Sequence, residues 1–569
     1  MLIHRPQYLL RNAVRRAFTL VEMLVAVALV LLMMTMFAEI FTLATGSMSK
    51  QKGIAELDQR QRMTSTLLRA DIQDRTFIKV YPFHPADSST FVSAQNRPIN
   101  IPSGLRQGYF YISENDPEND LDDVFQLTVT RKSASNTLFY GKAKQLLDTS
   151  GAGVFPYAGQ PGNPNQPDYD DADVEVIGGG GAIGDGKEVG TSTSAEVAYF
   201  VRNGNLYRRV LLIRQPLTTA FGTQPMSNPA PAMPVVLPVP LMQPGVYPTG
   251  TTTYVYNNPT TFPNDFDYSA TYDFGANRVV FLGQSELSNS VPTAPLSLGR
   301  PANRFGFNPI AGVPVEWIPS GFIGRFTQEE TSNVNFAWPG SPLKGPDGTI
   351  GSMDDTNPYT RNYATIPLTP NGVVSAYANG PRMGEDILLT NVQCFDVKIW
   401  DPRGGPGPDG QPGVAGYDDD QNGNTDDISE LSFANTDDGA WVDVGHTGAF
   451  GYFSQANNKN SNYGPLGAGN RCFDTWHPGL GSVGPPVSGV APFRPALPGR
   501  DGSPGSAPDP GRGHSGDDDQ DGVVDNIEEL GWPNTDDIPI ALKAIKIRVQ
   551  YRDTSTGLVR DITIIEPLN

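Results

Sequence analysis

A charge-free apolar run behind a basic N-terminal segment fixes the first element of this chain. Residues 1–17 carry Arg5, Arg11, Arg15 and Arg16 and no acid. From Met23 to Ala38 no charged residue occurs, and Leu, Val, Met and Ala dominate. With the flanking stretches Phe18–Val21 and Ile40–Thr45, the run reaches the roughly 20 residues that cross a bilayer as a helix. Glu22 stands at its head. A lone carboxylate there is costly in hydrocarbon and requires a partner or a functional reason. The arginines predict that residues 1–17 stay on the cytoplasmic side, with the rest of the chain outside the cytoplasm. A secretory signal peptide carries its cleavage motif after the apolar stretch; here Phe18-Thr19-Leu20-Val21-Glu22 lies before it.

Helical patterning continues past the apolar run. Ile54, Leu57, Leu67, Leu68 and Ile72 recur near helical spacing, with charged residues on other faces. No proline occurs from Phe18 to Tyr81. One helix over Phe18–Thr76 would be about 90 Å long, with Gly46 and Gly53 as soft points. Its second half is expected to pack on a head.

After Lys79 the texture turns to short β runs. Asp123–Thr130 reads as a strand, and Glu196–Arg202 and Leu206–Leu212 flank Asn203-Gly204, a strong hairpin-turn signal. Residues 215–384 are rich in Pro, Gly, Asn, Ser and Thr and read as a loop-rich insertion. Ile387–Trp400 reads as one strand. Ile545, Ile547, Val549 and Tyr551 alternate with Lys546, Arg548, Gln550 and Arg552, the period of a half-buried strand, and a turn over Asp553–Gly557 returns it through Leu558–Ile565. The expected class is α+β: a long N-terminal helix, membrane-spanning in its first half, packed on an antiparallel β-sheet head with large loop-rich insertions. The segments are a leader (1–17), the helix (18–77), a first β part (78–214), the insertion (215–384) and a C-terminal β part (385–569).

Composition narrows the function. Gly 61 and Pro 51, about a fifth of the 569 residues, imply long irregular connections rather than a compact enzyme of that size. The net charge of −20 disfavours nucleic acid and anionic membrane surfaces as partners and suits a protein that meets divalent cations. The two cysteines, Cys394 and Cys472, leave two arrangements open: one disulfide in an exported protein, or two free buried thiols. No Cys/His spacing suggests zinc, and no Ser-His-Asp set is defensible, so no enzymatic activity is expected. The Gly-rich stretch 179–187 approaches a phosphate-binding pattern, but Glu188 stands where Ser or Thr is required and no helix-forming run follows.

The junction Phe18–Glu22, with its basic leader and apolar helix, resembles the N-terminus of type IV prepilins and type II secretion pseudopilins. The resemblance implies that a prepilin peptidase cuts between Ala17 and Phe18 and methylates the new amine of Phe18, although the family usually has glycine where this chain has Ala17. It implies that Glu22 neutralises the N-terminal amine of a neighbouring subunit during assembly. Glu385–Val392, Trp441 and Ile538–Ile547 are similar to the late-strand pattern of the J-type minor pseudopilin. The implied role is a minor subunit in the tip or initiating complex of a periplasmic pseudopilus that supports protein export. The alternative is a minor type IV pilin acting as a calcium-stabilised adhesion or uptake subunit. The implied partners are other pseudopilins or pilins (tip complex and major subunit), the prepilin peptidase and an inner-membrane assembly platform.

Two acidic segments repeat late in the chain. Asp517, Asp519, Asp521, Gly522, Asp525 and Glu528 fit an EF-hand-type loop at each key place, with Val523 supplying a carbonyl. The earlier copy has Asp418, Asp420, Asn422, Gly423 and Asp426, but Ser429 stands at the closing position, with Glu430 one residue later. Two readings stand: structural calcium loops, in which cation binding and local folding are coupled, or solvated acidic loops.

Overall fold

The computed structural model describes residues 19–80, 107–114, 119–131, 138–142, 174–177, 181–184, 189–213, 262–273, 278–282, 298–299, 304–306, 325–336, 368–419, 421–427, 430–431, 438–446, 453, 472–475, 496–497, 538–539, 541–553 and 557–568. The proline-free N-terminal stretch forms one helix, α1 (Leu20–Gln73), which runs through Gly46 and Gly53 without interruption. Numbering only the strands of the two larger sheets, there follow β1 (Phe110–Ser113), β2 (Val124–Thr130), β3 (Ser194–Arg202) and β4 (Asn205–Ile213). Later come β5 (Ile387–Thr390), β6 (Val392–Asp401), β7 (Ala440–Val442) and β8 (Cys472–Asp474), and the closing pair β9 (Ala544–Arg552) and β10 (Val559–Pro567). The class is α+β.

These ten strands form two antiparallel sheets, and four further two-stranded pairs occur among the described residues. The first has the order β5-β4-β3-β2-β1-β8 and the second β7-β6-β9-β10. In the first, Asn203-Gly204 makes the expected tight turn, with φ of 48° and 77°, the left-handed pair that a two-residue hairpin requires. β3 is buried along its whole length. In the second, Ile545, Ile547, Val549 and Tyr551 point inward while the intervening Lys and Arg stay partly exposed.

Ile387–Trp400 is not one strand. Asn391, at φ 57°, breaks it, so that β5 pairs with β4 in the first sheet and β6 with β9 in the second. Asparagine tolerates this conformation at modest cost, and both neighbouring backbones use the break. The Val392 N–H donates to the Gly204 carbonyl at 2.8 Å, and Arg552 N–H to the Asn391 carbonyl at 2.9 Å. A single apolar run thus passes from one sheet to the other.

The chain divides into two compact units. One holds α1 through Arg60 with the segment Asp553–Leu558; the other holds the rest of the chain from Gln61 on. Within the second unit, the last turns of α1 bury Thr64, Leu68, Asp71 and Ile72. Tyr551 OH donates to Gln61 Oε1 at 3.1 Å, and Arg69 pairs with Glu566 of β10 at 3.1 Å.

Candidate functional site

The start of α1 is closed by its own side chains. Thr19 N–H and Thr19 Oγ1 each donate to Glu22 Oε2 at 3.0 Å, and Glu22 N–H donates to Thr19 Oγ1 at 3.3 Å. Thr19 and Glu22 therefore form a capping box, which satisfies backbone donors that the helix leaves open. The Thr-x-x-Glu spacing of that box is visible in the sequence, and the expectation built on Glu22 overlooked it. Ala17 and Phe18 lie outside the described residues.

Beyond the cap, the large apolar side chains from Leu20 to Met48 are exposed, and α1 is long and apolar enough to cross a membrane. The hydroxyls in this stretch are satisfied within the helix: Thr35 donates to the Leu32 carbonyl, Thr42 to Ala38 and Glu39, and Thr45 to Phe41 and Thr42. In hydrocarbon such internal pairing is what a polar side chain requires. The surface therefore suits lipid or the helices of neighbouring subunits.

At its other end α1 is fastened by a buried acid that the sequence reading missed. Asp71 is fully buried. Its carboxylate accepts from Tyr199 OH at 2.6 Å, Arg208 Nε at 2.8 Å and Arg131 Nη2 at 3.0 Å, and Arg131 also reaches Asp74 at 3.0 Å. Burial, reinforced by the Asp71 charge, pushes the Tyr199 hydroxyl well above its usual range, so the phenol remains a donor. The signal was present as an acid between Leu68 and Ile72 on the apolar stripe of a helix.

Of the two acidic repeats, the second, with Asp517, Asp519, Asp521, Val523, Asp525 and Glu528, lies outside the described residues, as does Asp420. The first copy forms a tight loop. Asp418 accepts the N–H groups of Asn422 at 2.9 Å and Gly423 at 2.8 Å, and Gln421, Gly423 and Asp426 adopt positive φ. Asp426 accepts from Gly416 N–H at 2.6 Å. Glu430 is fully buried and receives Asp419 N–H at 2.6 Å and Asp427 N–H at 2.9 Å, one on each oxygen. Asn422 Oδ1 accepts from Asn424 N–H at 2.8 Å, so Asp418, Asn422, Asp426 and Glu430 are acceptors for the loop's own backbone in this arrangement.

Acidic groups do converge elsewhere. Among the described residues, ligand atoms of Asp120, Cys394 and Asp396 lie within 4.8 Å of one another, as do those of Glu114, Asp122 and Asp123. Cys394 is a buried free thiol rather than half of a bridge to Cys472, whose strand, β8, sits at the edge of the first sheet. Its Sγ lies 3.9 Å from the Arg548 carbonyl, and burial above all, with Asp120 adding to it, pushes the thiol up to about 12. Such a thiol is inert as a nucleophile. Within the glycine-rich stretch, Gly181–Gly184 is a strand that pairs antiparallel with Val174–Ile177; the remainder of 179–187 lies outside the described residues.

No curated protein and no solved structure matches the chain. Residues 12–38 match the family model of the prokaryotic N-terminal methylation motif. This chain therefore carries, in its basic leader, its capped Glu22 and its exposed apolar helix, the N-terminal signal of type IV pilin-like and pseudopilin proteins.

Proposed function

We propose that the protein is a J-like minor pseudopilin, assembling through α1 into the tip or initiating complex of a periplasmic pseudopilus that supports protein export. The observation that carries the reading is the exposed apolar surface from Leu20 to Met48, joined to the methylation motif at residues 12–38. A helix apolar on all sides belongs in lipid or among like helices. Glu22 is the group that meets a neighbour's N-terminal amine, since a carboxylate carried into that setting needs a cationic partner. The size of the chain beyond α1 and the absence of proline from α1 favour a minor subunit over the main polymer.

Affinity isolation of the full-length chain from gently solubilised membranes tests this. The expected eluate contains secretion-type pseudopilins and loses them in Glu22→Gln, which keeps the cap geometry but removes the charge. Pilus subunits together with an adhesion or uptake defect would move the protein to a type IV pilus. An eluate without any pilin-like protein would contradict both readings.

Structural calcium at the Asp-rich loops belongs to the same reading. It is supported by the second loop's complete ligand pattern and by the Asp418 turn, whose N–H donors at Asn422 and Gly423 wrap the loop around its first carboxylate. Saturating calcium is expected to raise the melting temperature of the full-length chain over that in chelator, and Asp519→Ala to diminish that rise. Identical melting curves in both conditions would remove calcium from the account.

A further inference from the structure

Several buried acids in the described part of the second unit are met by arginines, while Glu430 is held by a backbone N–H on each oxygen. Asp71 faces Arg131 and Arg208, Glu330 faces Arg202, and Asp474 faces Arg304. Asp123 is different. It is 1% exposed. After burial itself, the neighbours Glu114 and Asp122 push its carboxyl well above the usual range, with only the Val397 N–H acting against them. That N–H donates to Asp123 Oδ2 at 2.5 Å, while no hydrogen-bond donor reaches Asp123 Oδ1.

Topology explains why the three acids meet. Glu114 directly follows β1, and Asp122 and Asp123 directly precede β2. The two strands pair with Ser113 opposite Val124, so both ends of one connection converge. The same segment is stitched to the second sheet. The Phe395 N–H donates to the Asp120 carbonyl at 2.5 Å, two residues before the Val397 bond. An oxygen from each of Glu114, Asp122 and Asp123 lies within 4.8 Å of the others. Calcium holds carboxylate oxygens at about 2.3–2.6 Å, so opposite ligands in one shell stand about 5 Å apart.

We infer that Glu114, Asp122 and Asp123 form a calcium-class divalent cation site that ties the β1–β2 connection to β6, and with it the first sheet to the second. Three clustered carboxylates, one of them with an orphaned buried oxygen, supply hard donors and negative charge, the chemistry that such an ion requires. The cation takes the place that arginine fills at Asp71, Glu330 and Asp474. Its binding is weak enough to follow the surrounding medium, with half-saturation at about 0.1–1 mM, as for modules outside the cytoplasm. The site is independent of the Asp-rich loops at 418 and 517.

The test uses the full-length chain in detergent, the Asp123→Asn variant, and a loop variant carrying Asp418→Asn and Asp519→Asn. Terbium serves as the luminescent probe and calcium as its competitor. Asp123→Asn is expected to remove one calcium-displaceable terbium site from the native chain and the same site from the loop variant. It keeps an acceptor for Val397 N–H, so the fold persists. In chelator Asp123→Asn melts at or above the native temperature because a repelling charge is gone; in 5 mM calcium (roughly tenfold above half-saturation) the native chain melts higher. Glu114→Gln should repeat both results should Asp123→Asn fail to fold. Unchanged terbium binding in both variants, or the same melting order with and without calcium, would overturn the site and leave the three acids sharing a proton. Loss of sites in the loop variant alone would do the same, while sparing calcium at the loops.

Discussion

Asp386 shows how a single buried carboxylate sets a pH dependence of unusual sign. It is 6% exposed and accepts the Gln328 N–H on Oδ2 at 2.8 Å. Burial, the largest influence, raises its carboxyl to about 6 despite the pull of Arg209. An unfolded chain would release that proton near pH 4. Between about pH 4 and 6 the folded state therefore holds more proton than the unfolded, and this group's contribution to stability falls as pH rises. Above about pH 6 the cost of a buried charge is fully present. Asp386→Asn should gain about 1–3 kcal/mol over the native chain at pH 8 and almost nothing at pH 4, read as the difference in urea midpoints across that range. A constant difference would mean that Asp386 is not the titrating group. None of this was legible in the sequence, because burial of Asp386 depends on Gln328 and Arg209, far from it along the chain.

At the scale of elements, α1 is fastened to the first sheet by Asp71, an arrangement only partly foreshadowed by the sequence. The helix itself was legible from its apolar run, its helical spacing and its lack of proline. The hairpins were legible too, from Asn203-Gly204 and from the alternation along Ala544–Arg552. The division of 387–401 into β5 and β6 was not. Propensity along Ile387–Trp400 is uniformly strand-like, and the left-handed Asn391 is selected by tertiary hydrogen bonds to Gly204 and Arg552. Asp71 was hidden for a similar reason, since Arg131 just past β2, Tyr199 within β3 and Arg208 within β4 all reach it. Removing its charge leaves guanidinium groups without their counter-ion, which typically costs about 3–5 kcal/mol in a buried setting. Asp71→Asn should lower the unfolding free energy of the full-length chain by about that amount, with Tyr199→Phe costing about 1–2 kcal/mol for the two hydrogen bonds of its hydroxyl, one donated to Asp71 and one accepted from Arg208. Equal, small effects from both would mean that the network does not hold α1 to the sheet.

At the scale of the whole molecule, an exposed apolar helix segment continues along the chain into a β-sheet unit stitched by buried ion pairs. The N-terminal signal was the most legible part, because a basic leader, a junction glutamate and an apolar run are local features of sequence. The acidic loops were legible as pattern, yet the Asp418 loop turns its carboxylates onto its own backbone, and Glu430 closes it by accepting two N–H groups. The Glu114, Asp122 and Asp123 cluster could not be read from spacing alone, since it needs β1 and β2 paired and β6 alongside. The central claim is that the chain is processed at its N-terminus and released into an assembly through α1. Intact and peptide mass spectrometry of the protein from native membranes tests that most directly. The account predicts a mature chain beginning at Phe18 with one added methyl on its amine. A chain that still begins at Met1 would contradict it.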